Sequence, residues 1–271
     1  MGRMLGYMAN RADRLHDALH QERDVIRLQN PDGPSGYGIG FYQGGEVLHK
    51  KRPLLEGKTL DWEQVARGVR SDCVVIHQRE ATVGDFRADN THPFRMRSWL
   101  FAHSGTIDRF DAIRPRLLET MPDFVRRNVR GETDSEYFFH AAISFLNDAG
   151  QLDRGLADDD AVISALRSSV RLVERLSKEV GAAEPVLNCM LTNGHSMYAL
   201  RRGKPVKYIE RSGIDDPAES SDEGEHPGRR DGVRYVMVVS DGADVPHPYV
   251  EVPEDSVCLV NRDLSVSMHP L

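Results

Sequence analysis

HQREATVGDFRADNTHPF (residues 77–94) and FAHSGTIDRF (residues 101–110) are the stretches on which the reading of this chain turns. The first follows the apolar run CVVI (73–76), which reads as a buried strand. Arg79 therefore stands at a strand end, where a guanidinium is suited to a bidentate grip on a carboxylate. Pairing with a nearby aspartate explains it equally well. His92 precedes Pro93, which favours extended backbone, and a satisfied structural histidine is its default reading. His77 and His103 lie in strand ends and are weak catalytic candidates. Ser104-Gly105 follows a strand and offers a backbone N–H to an anion, a weak signal alone. His103 is no base for Ser104, because successive strand residues face opposite sides.

Working outward, MLGYMA, GYGIGFY, GEVLHKK, CVVIHQR and SWLFAHSG read as strands in the first part of the chain, with Gly, Pro and Asp between them. GYGIGFY has glycines at alternate positions, but no phosphate-facing helix follows it, so it is not a dinucleotide fingerprint. Glycines that let two sheets approach closely, or bulges, explain it better. LDWEQVARGVRS carries Asp61 and Gln64 in capping-box relation and Trp62, Val65 and Val69 at helical spacing. The middle of the chain is helical. Thr133-Asp134-Ser135-Glu136 fits a capping box ahead of the stripe Phe138, Phe139, Ala142, Ile143, Phe145 and Leu146. As a first-turn acid, Asp134 is adequately explained by the helix dipole. A second helix starts at Asp158-Asp159-Asp160 and continues with Val162, Ile163, Leu166, Val170 and Val173 on one face. Strands return in VLNCMLT, SMYALRR, VRYVMVVS and SVCLVNRD. This order predicts an α+β fold with antiparallel sheets in a single domain over 1–271. The polar stretch 215–232 is expected to be a mobile acidic surface loop.

The net charge of −7 leaves no basic stripe for a nucleic acid or an anionic membrane. Neither a membrane span nor a signal peptide is read, and Gly6 stands where a myristoylation signal wants Ser or Thr. Cys73, Cys189 and Cys258 lie in apolar runs without metal or disulfide spacing, which points to buried thiols in the cytoplasm. No metal and no cofactor are expected.

Six motifs then combine. MGRMLGY, GYGIGFY, HQREATVG, NTHPF, AHSGTI and GETDSE stand in the order and spacing of class II glutamine amidotransferase domains, which belong to the N-terminal-nucleophile hydrolase group. The sequence most resembles the small stand-alone bacterial branch that includes the ergothioneine-biosynthesis amidohydrolase, whose members open Met-Cys-Arg-x-Leu-Gly-Tyr. The resemblance implies a four-layer α/β/β/α sandwich with two antiparallel sheets. It also implies a mechanism. Removal of the initiator Met exposes a cysteine whose own amine activates its thiol against a glutamine side-chain amide. An Asn side chain and a Gly N–H hold the oxyanion, each donor worth ~3 kcal/mol. Carried over residue by residue, Arg79 matches the arginine for the substrate carboxylate, with Thr82 in the same motif. His92 matches the histidine of the substrate-site loop, Asp134 the aspartate for the α-amino group, and Gly105 the oxyanion-hole backbone donor.

Two positions depart from that pattern. Gly2 stands where the nucleophilic cysteine belongs, and Ser104 where the oxyanion asparagine belongs. No catalytic set is intact, and Cys73 in its apolar run is no substitute. The expectation is a degenerate amidotransferase-like protein that keeps a pocket for glutamine, glutamate or a γ-glutamyl compound, in a sensing, regulatory or assembly role. An active γ-glutamyl amidohydrolase using a non-thiol route and a purely structural interaction module are the alternatives. The chain shows no ammonia-acceptor domain, so any transfer is expected to need a separate acceptor or partner protein.

Overall fold

The computed structural model describes residues 2–23, 35–55, 62–80, 84–214, 232–240 and 248–271. Thr82, Asp61 and the stretch 215–231 lie outside the described residues. Two antiparallel sheets form the centre. The first has seven strands: β1 (Arg3–Ala9), β2 (Ser35–Gln43), β3 (Glu46–Leu55), β4 (Cys73–Glu80), β9 (Val206–Ser212), β10 (Arg234–Ser240) and β11 (Val250–Glu251), in the order β11-β9-β10-β1-β4-β2-β3. The second has six: β5 (Phe94–Met96), β6 (Trp99–Thr106), β7 (Val186–Thr192), β8 (Met197–Arg201), β12 (Ser256–Val260) and β13 (Val266–Pro270), in the order β13-β12-β8-β7-β6-β5.

Alternation along each strand sorts side chains into three apolar layers. Leu5, Tyr7, Val74 and Ile76 face outward from the first sheet, under the short helices α1 (Leu15–Gln21) and α2 (Trp62–Ala66). Met4, Met8, Cys73, Val75, Ala102, Met190 and Met197 fill the space between the sheets. Trp99, Phe101, Leu187 and Leu191 face outward from the second sheet, under α3 (Phe110–Glu119), α4 (Asp123–Arg126), α5 (Asp134–Asp148) and α6 (Asp159–Glu179). The layers run helix, sheet, sheet, helix, as expected.

The alternating glycines of β2 have a concrete role. A Cβ on Gly40 would meet the Pro93 ring at 2.6 Å and Leu100 at 2.9 Å, and one on Gly38 would run into the His92 carbonyl. Larger residues there would push the sheets apart. Gly36, beside a register shift at Ser35/Tyr37, abuts the backbone of β3 instead.

Both long helices begin where the capping chemistry says. Thr133 Oγ1 accepts from the Glu136 N–H at 3.2 Å, and Asp158 Oδ1 from the Ala161 N–H at 3.0 Å. Only half of the expected capping box forms at α5. The Glu136 carboxylate reaches past Thr133 and accepts from the Arg130 and Gly131 N–H groups at 2.8 and 2.7 Å. The apolar face of α6 (Val162, Ile163, Leu166, Val170, Val173) is buried. Among the described residues no helix is long and apolar enough to cross a membrane.

Candidate functional site

Pairing of β1 with β4 sets Arg3 opposite Gln78 and Met4 opposite His77, which brings Gly2 to the end of β4. Cys73 and Val75 face the inter-sheet space, so His77 and Arg79, at the same period of two, face it as well. On β6, Ala102 faces that space and Phe101 the helices. Ser104 and His103 continue this alternation. The Ser104 hydroxyl donates to the Gly2 carbonyl and ties the amino end to the second sheet. His103 turns away, its Nδ1 2.8 Å from Ser135 Oγ and its Nε2 donating to the Val186 carbonyl at 3.0 Å.

The place of the missing side chain at position 2 is taken. A Cβ built there would stand 2.7 Å from His77 Cε1 and 2.8 Å from its Nε2, and would press on the Gln78 carbonyl. His77 is held by donating Nε2–H to the His103 carbonyl at 3.1 Å, which leaves Nδ1 as the lone-pair nitrogen. Its ring packs on His92, with centroids 4.0 Å apart, and His92 packs on Phe94 at 4.6 Å. Among the described residues, His77 Nδ1 and both ring nitrogens of His92 have no hydrogen-bond partner. Burial pushes His77 down to about 3 and holds His92 well below the ordinary histidine value; burial also lowers His103, against the pull of Asp134. All three imidazoles are neutral at pH 7. The His92-Pro93 peptide is cis.

Arg79 and Asp134 form the charged part of the site. The Arg79 guanidinium donates to the Gly84 and Asp85 carbonyls, both at 2.8 Å, and lies over the Phe86 ring at 5.1 Å. Burial lowers its pKa, opposed by the charges of Asp85 and Asp134. Asp134 accepts from the Ile107 N–H at 2.8 Å and the Ser135 N–H at 2.9 Å, with the Ser135 hydroxyl at 3.4 Å. A carboxylate accepts about four such bonds, so there is room for one further donor such as an ammonium group. Arg79, His92, Ser104 and Asp134 are each between 2 and 4% exposed. Gly105 sits one residue beyond Ser104, where a Cβ would strike the Val186 backbone.

The structure thus gathers Gly2, Ser104, Gly105, Arg79, His92 and Asp134 around one end of the sheet pair. His77, read from sequence only as a weak catalytic candidate at a strand end, belongs to the same site. The available signal was its two-residue spacing from Arg79 on one strand. Asn90, which joins the Arg79 loop to α5, had no sequence signal beyond its place in NTHPF. Cys73 is no nucleophile: burial pushes its thiol up to about 12, and Sγ lies 3.2 Å from Thr192 Oγ1. Among the described residues no group of three or more His, Cys, Asp or Glu is arranged to hold a metal ion.

A family model described as class-II glutamine amidotransferases matches residues 24–222. The chain belongs to this family. It is 25% identical over 280 residues to "Probable glutamine amidotransferase DUG3" of Saccharomyces cerevisiae, covering 94% of this chain and 78% of that protein. It is 35% identical over 83 residues to "Gamma-glutamyl-hercynylcysteine sulfoxide hydrolase" of Mycobacterium tuberculosis, a match covering 30% of this chain and 34% of the relative. Among solved structures, a glutamine aminotransferase class-II domain protein from Silicibacter pomeroyi superposes with a TM-score of 0.61 at 19% identity, covering 99% of this chain and 98% of the other. The glutamine phosphoribosylpyrophosphate amidotransferase of B. subtilis gives 0.57 at 13% identity, over 99% of this chain and 49% of that one. The fold is the N-terminal-nucleophile amidotransferase fold. In this member of the family, the two positions from which the family resemblance implies a thiol and an amide donor carry a glycine and a serine turned back on the amino end.

Proposed function

We propose that this protein is a catalytically degenerate class-II glutamine amidotransferase that keeps a pocket for glutamine, glutamate or a γ-glutamyl compound and acts as a sensor, regulatory subunit or assembly partner. One observation carries the reading. Arg79 and Asp134 lie within electrostatic reach of each other beside a position 2 that has no nucleophile. A guanidinium and a carboxylate in that relation suit the two charged ends of an amino acid. The side-chain end of such a guest would meet neutral imidazoles and a hydroxyl already engaged. The γ-glutamyl substrate named for the mycobacterial relative fits the same class of ligand. Because the site groups are almost wholly buried, entry of a ligand requires the segments around them to move. We place the protein in a reducing compartment, the cytoplasm, since its three thiols are free and buried.

Calorimetric titration with glutamine, glutamate and a γ-glutamyl dipeptide tests this. Binding that disappears in Arg79→Lys, with no ammonia released by the wild type, is the expected result. Steady ammonia release would defeat the degenerate reading and favour a non-thiol hydrolase. A second reading, a pure interaction module, draws on the fact that Arg79 and Asp134 already hold backbone partners. Absence of heat and of any thermal shift with all three compounds would favour it.

A further inference from the structure

Arg79 and Asp134 come from different elements, a strand end and a helix start, and their relative position needs a connection. Arg79 grips the loop at Gly84 and Asp85. Asp134 is fixed to the first turn of α5 and to Ile107. Among the described residues one buried side chain bridges the two, alongside the exposed pair Arg87–Glu132 at 3.1 Å. Asn90 Nδ2 donates to the Asp85 carbonyl at 3.1 Å, and its Oδ1 accepts from the Glu132 N–H at 2.9 Å, two residues before Asp134. The residue is completely buried. Two glycines are pressed against it. At Gly84, with φ of +73°, a Cβ would stand 2.8 Å from Asn90 Nδ2, and at Gly131 one would collide with Asn90 Oδ1. The backbone on both sides has been shaped around this amide.

We infer that Asn90 is the positioning residue of the amino-acid pocket, setting the separation of the Arg79 guanidinium and the Asp134 carboxylate through its two hydrogen bonds. An amide is suited to this, because it donates with one end and accepts with the other at fixed spacing. Aspartate at this position would keep the acceptor for Glu132 and lose the donor for Asp85. The two bonds can therefore be separated. The ligand part of the test rests on the pocket proposed above; the bridging role does not.

The experiment compares L-glutamine with two truncated analogues, 4-carbamoylbutanoate (no α-amino group) and 4-aminobutanamide (no carboxylate), in wild type, Asn90→Ala and Asn90→Asp. Asn90→Ala is expected to lower the preference for glutamine over both analogues by tenfold or more. Asn90→Asp should lose only the preference over 4-aminobutanamide, since it loosens the Arg79 side alone. Equal weakening toward all three ligands, the signature of a merely less stable fold, would overturn the assignment. If the wild type binds none of them, the pocket reading falls, and amide hydrogen exchange decides on Asn90 by itself. Asn90→Ala is then expected to speed exchange at Ile107 and Ser135, the donors to Asp134, at least tenfold relative to Ile143 in mid-helix. Acceleration confined to Glu132 would refute the bridge.

Discussion

The two ends of this site are held together in different ways. Around Gly2 the side chains are neutral: two imidazoles packed at a tilt of 37°, a hydroxyl bonded to the main chain, and a glycine whose missing side chain is replaced by His77. Around Arg79 and Asp134 the groups are ions, each bonded to backbone groups of a neighbouring segment. The difference explains how one end can keep its pattern while the other loses it. A nucleophile that satisfies no buried backbone group can be replaced without leaving one unpaired. A buried ion that satisfies buried carbonyls or N–H groups cannot be removed without leaving them unpaired, at about 1–3 kcal/mol for each group. Persistence of Arg79 and Asp134 is therefore partly structural. Ligand titration, not their presence, decides whether they still serve a guest.

The comparison breaks first under acid. His77 and His92 fold as neutral groups with values far below the ordinary 6.5, so the unfolded chain binds protons that the folded chain does not. Their contribution is fully present above pH 6.5 and is lost as pH falls. His77, at about 3, costs about 1.4 kcal/mol per pH unit in that window, and His92 acts in the same direction. Urea midpoints measured at pH 7.5, 5.5 and 4.5 should fall in this direction, and His77→Gln should flatten the profile. A flat profile in the wild type would mean that the pair is hydrated and not part of the packed site.

Next in size is Gly2→Cys. On this backbone the new Cβ meets His77 and Gln78, and overpacking of this kind costs about 1–3 kcal/mol. Even after removal of Met1, and even combined with Ser104→Asn, the variant is expected to be less stable and to release no ammonia from glutamine. Glutaminase activity in the double variant would show that the reaction end is still preorganised and that His77 yields its place readily.

How much of this was legible in sequence follows from the range of the interactions. Thr133 and Asp158 were readable as helix caps because capping is decided within four residues. The alternate glycines of β2 were readable as a close approach of two sheets, since a period of two assigns them to one face. The helix α3 was not read: it contains Pro115 and begins at Arg109 in a left-handed conformation, and both features mask a helical pattern. The pairing of β1 with β10 joins residues more than two hundred positions apart, such as Leu5 and Val239, and nothing local announces it. The same holds for the buried Glu22, which accepts from Arg211, Tyr235 and Tyr249. Within the site, Arg79 and Asp134 were found through their motifs, whereas the role of His77 beside Gly2 and that of Asn90 emerge only from contacts between segments.

The smallest expected effect sharpens the comparison most. Ser104→Ala removes the hydroxyl that donates to the Gly2 carbonyl and changes no charge. One neutral hydrogen bond contributes about 1 kcal/mol net. The register of the amino end is already fixed by the ladders of β1 with β4 and β10, which do not involve Ser104. Stability should therefore fall by about 1 kcal/mol, with the urea m-value unchanged and glutamine affinity within twofold of wild type. If affinity fell tenfold or more instead, the neutral end would be helping to hold the charged end in place. The two would then be one cooperative unit, and retention of the ionic grip could no longer be explained by its own backbone bonds.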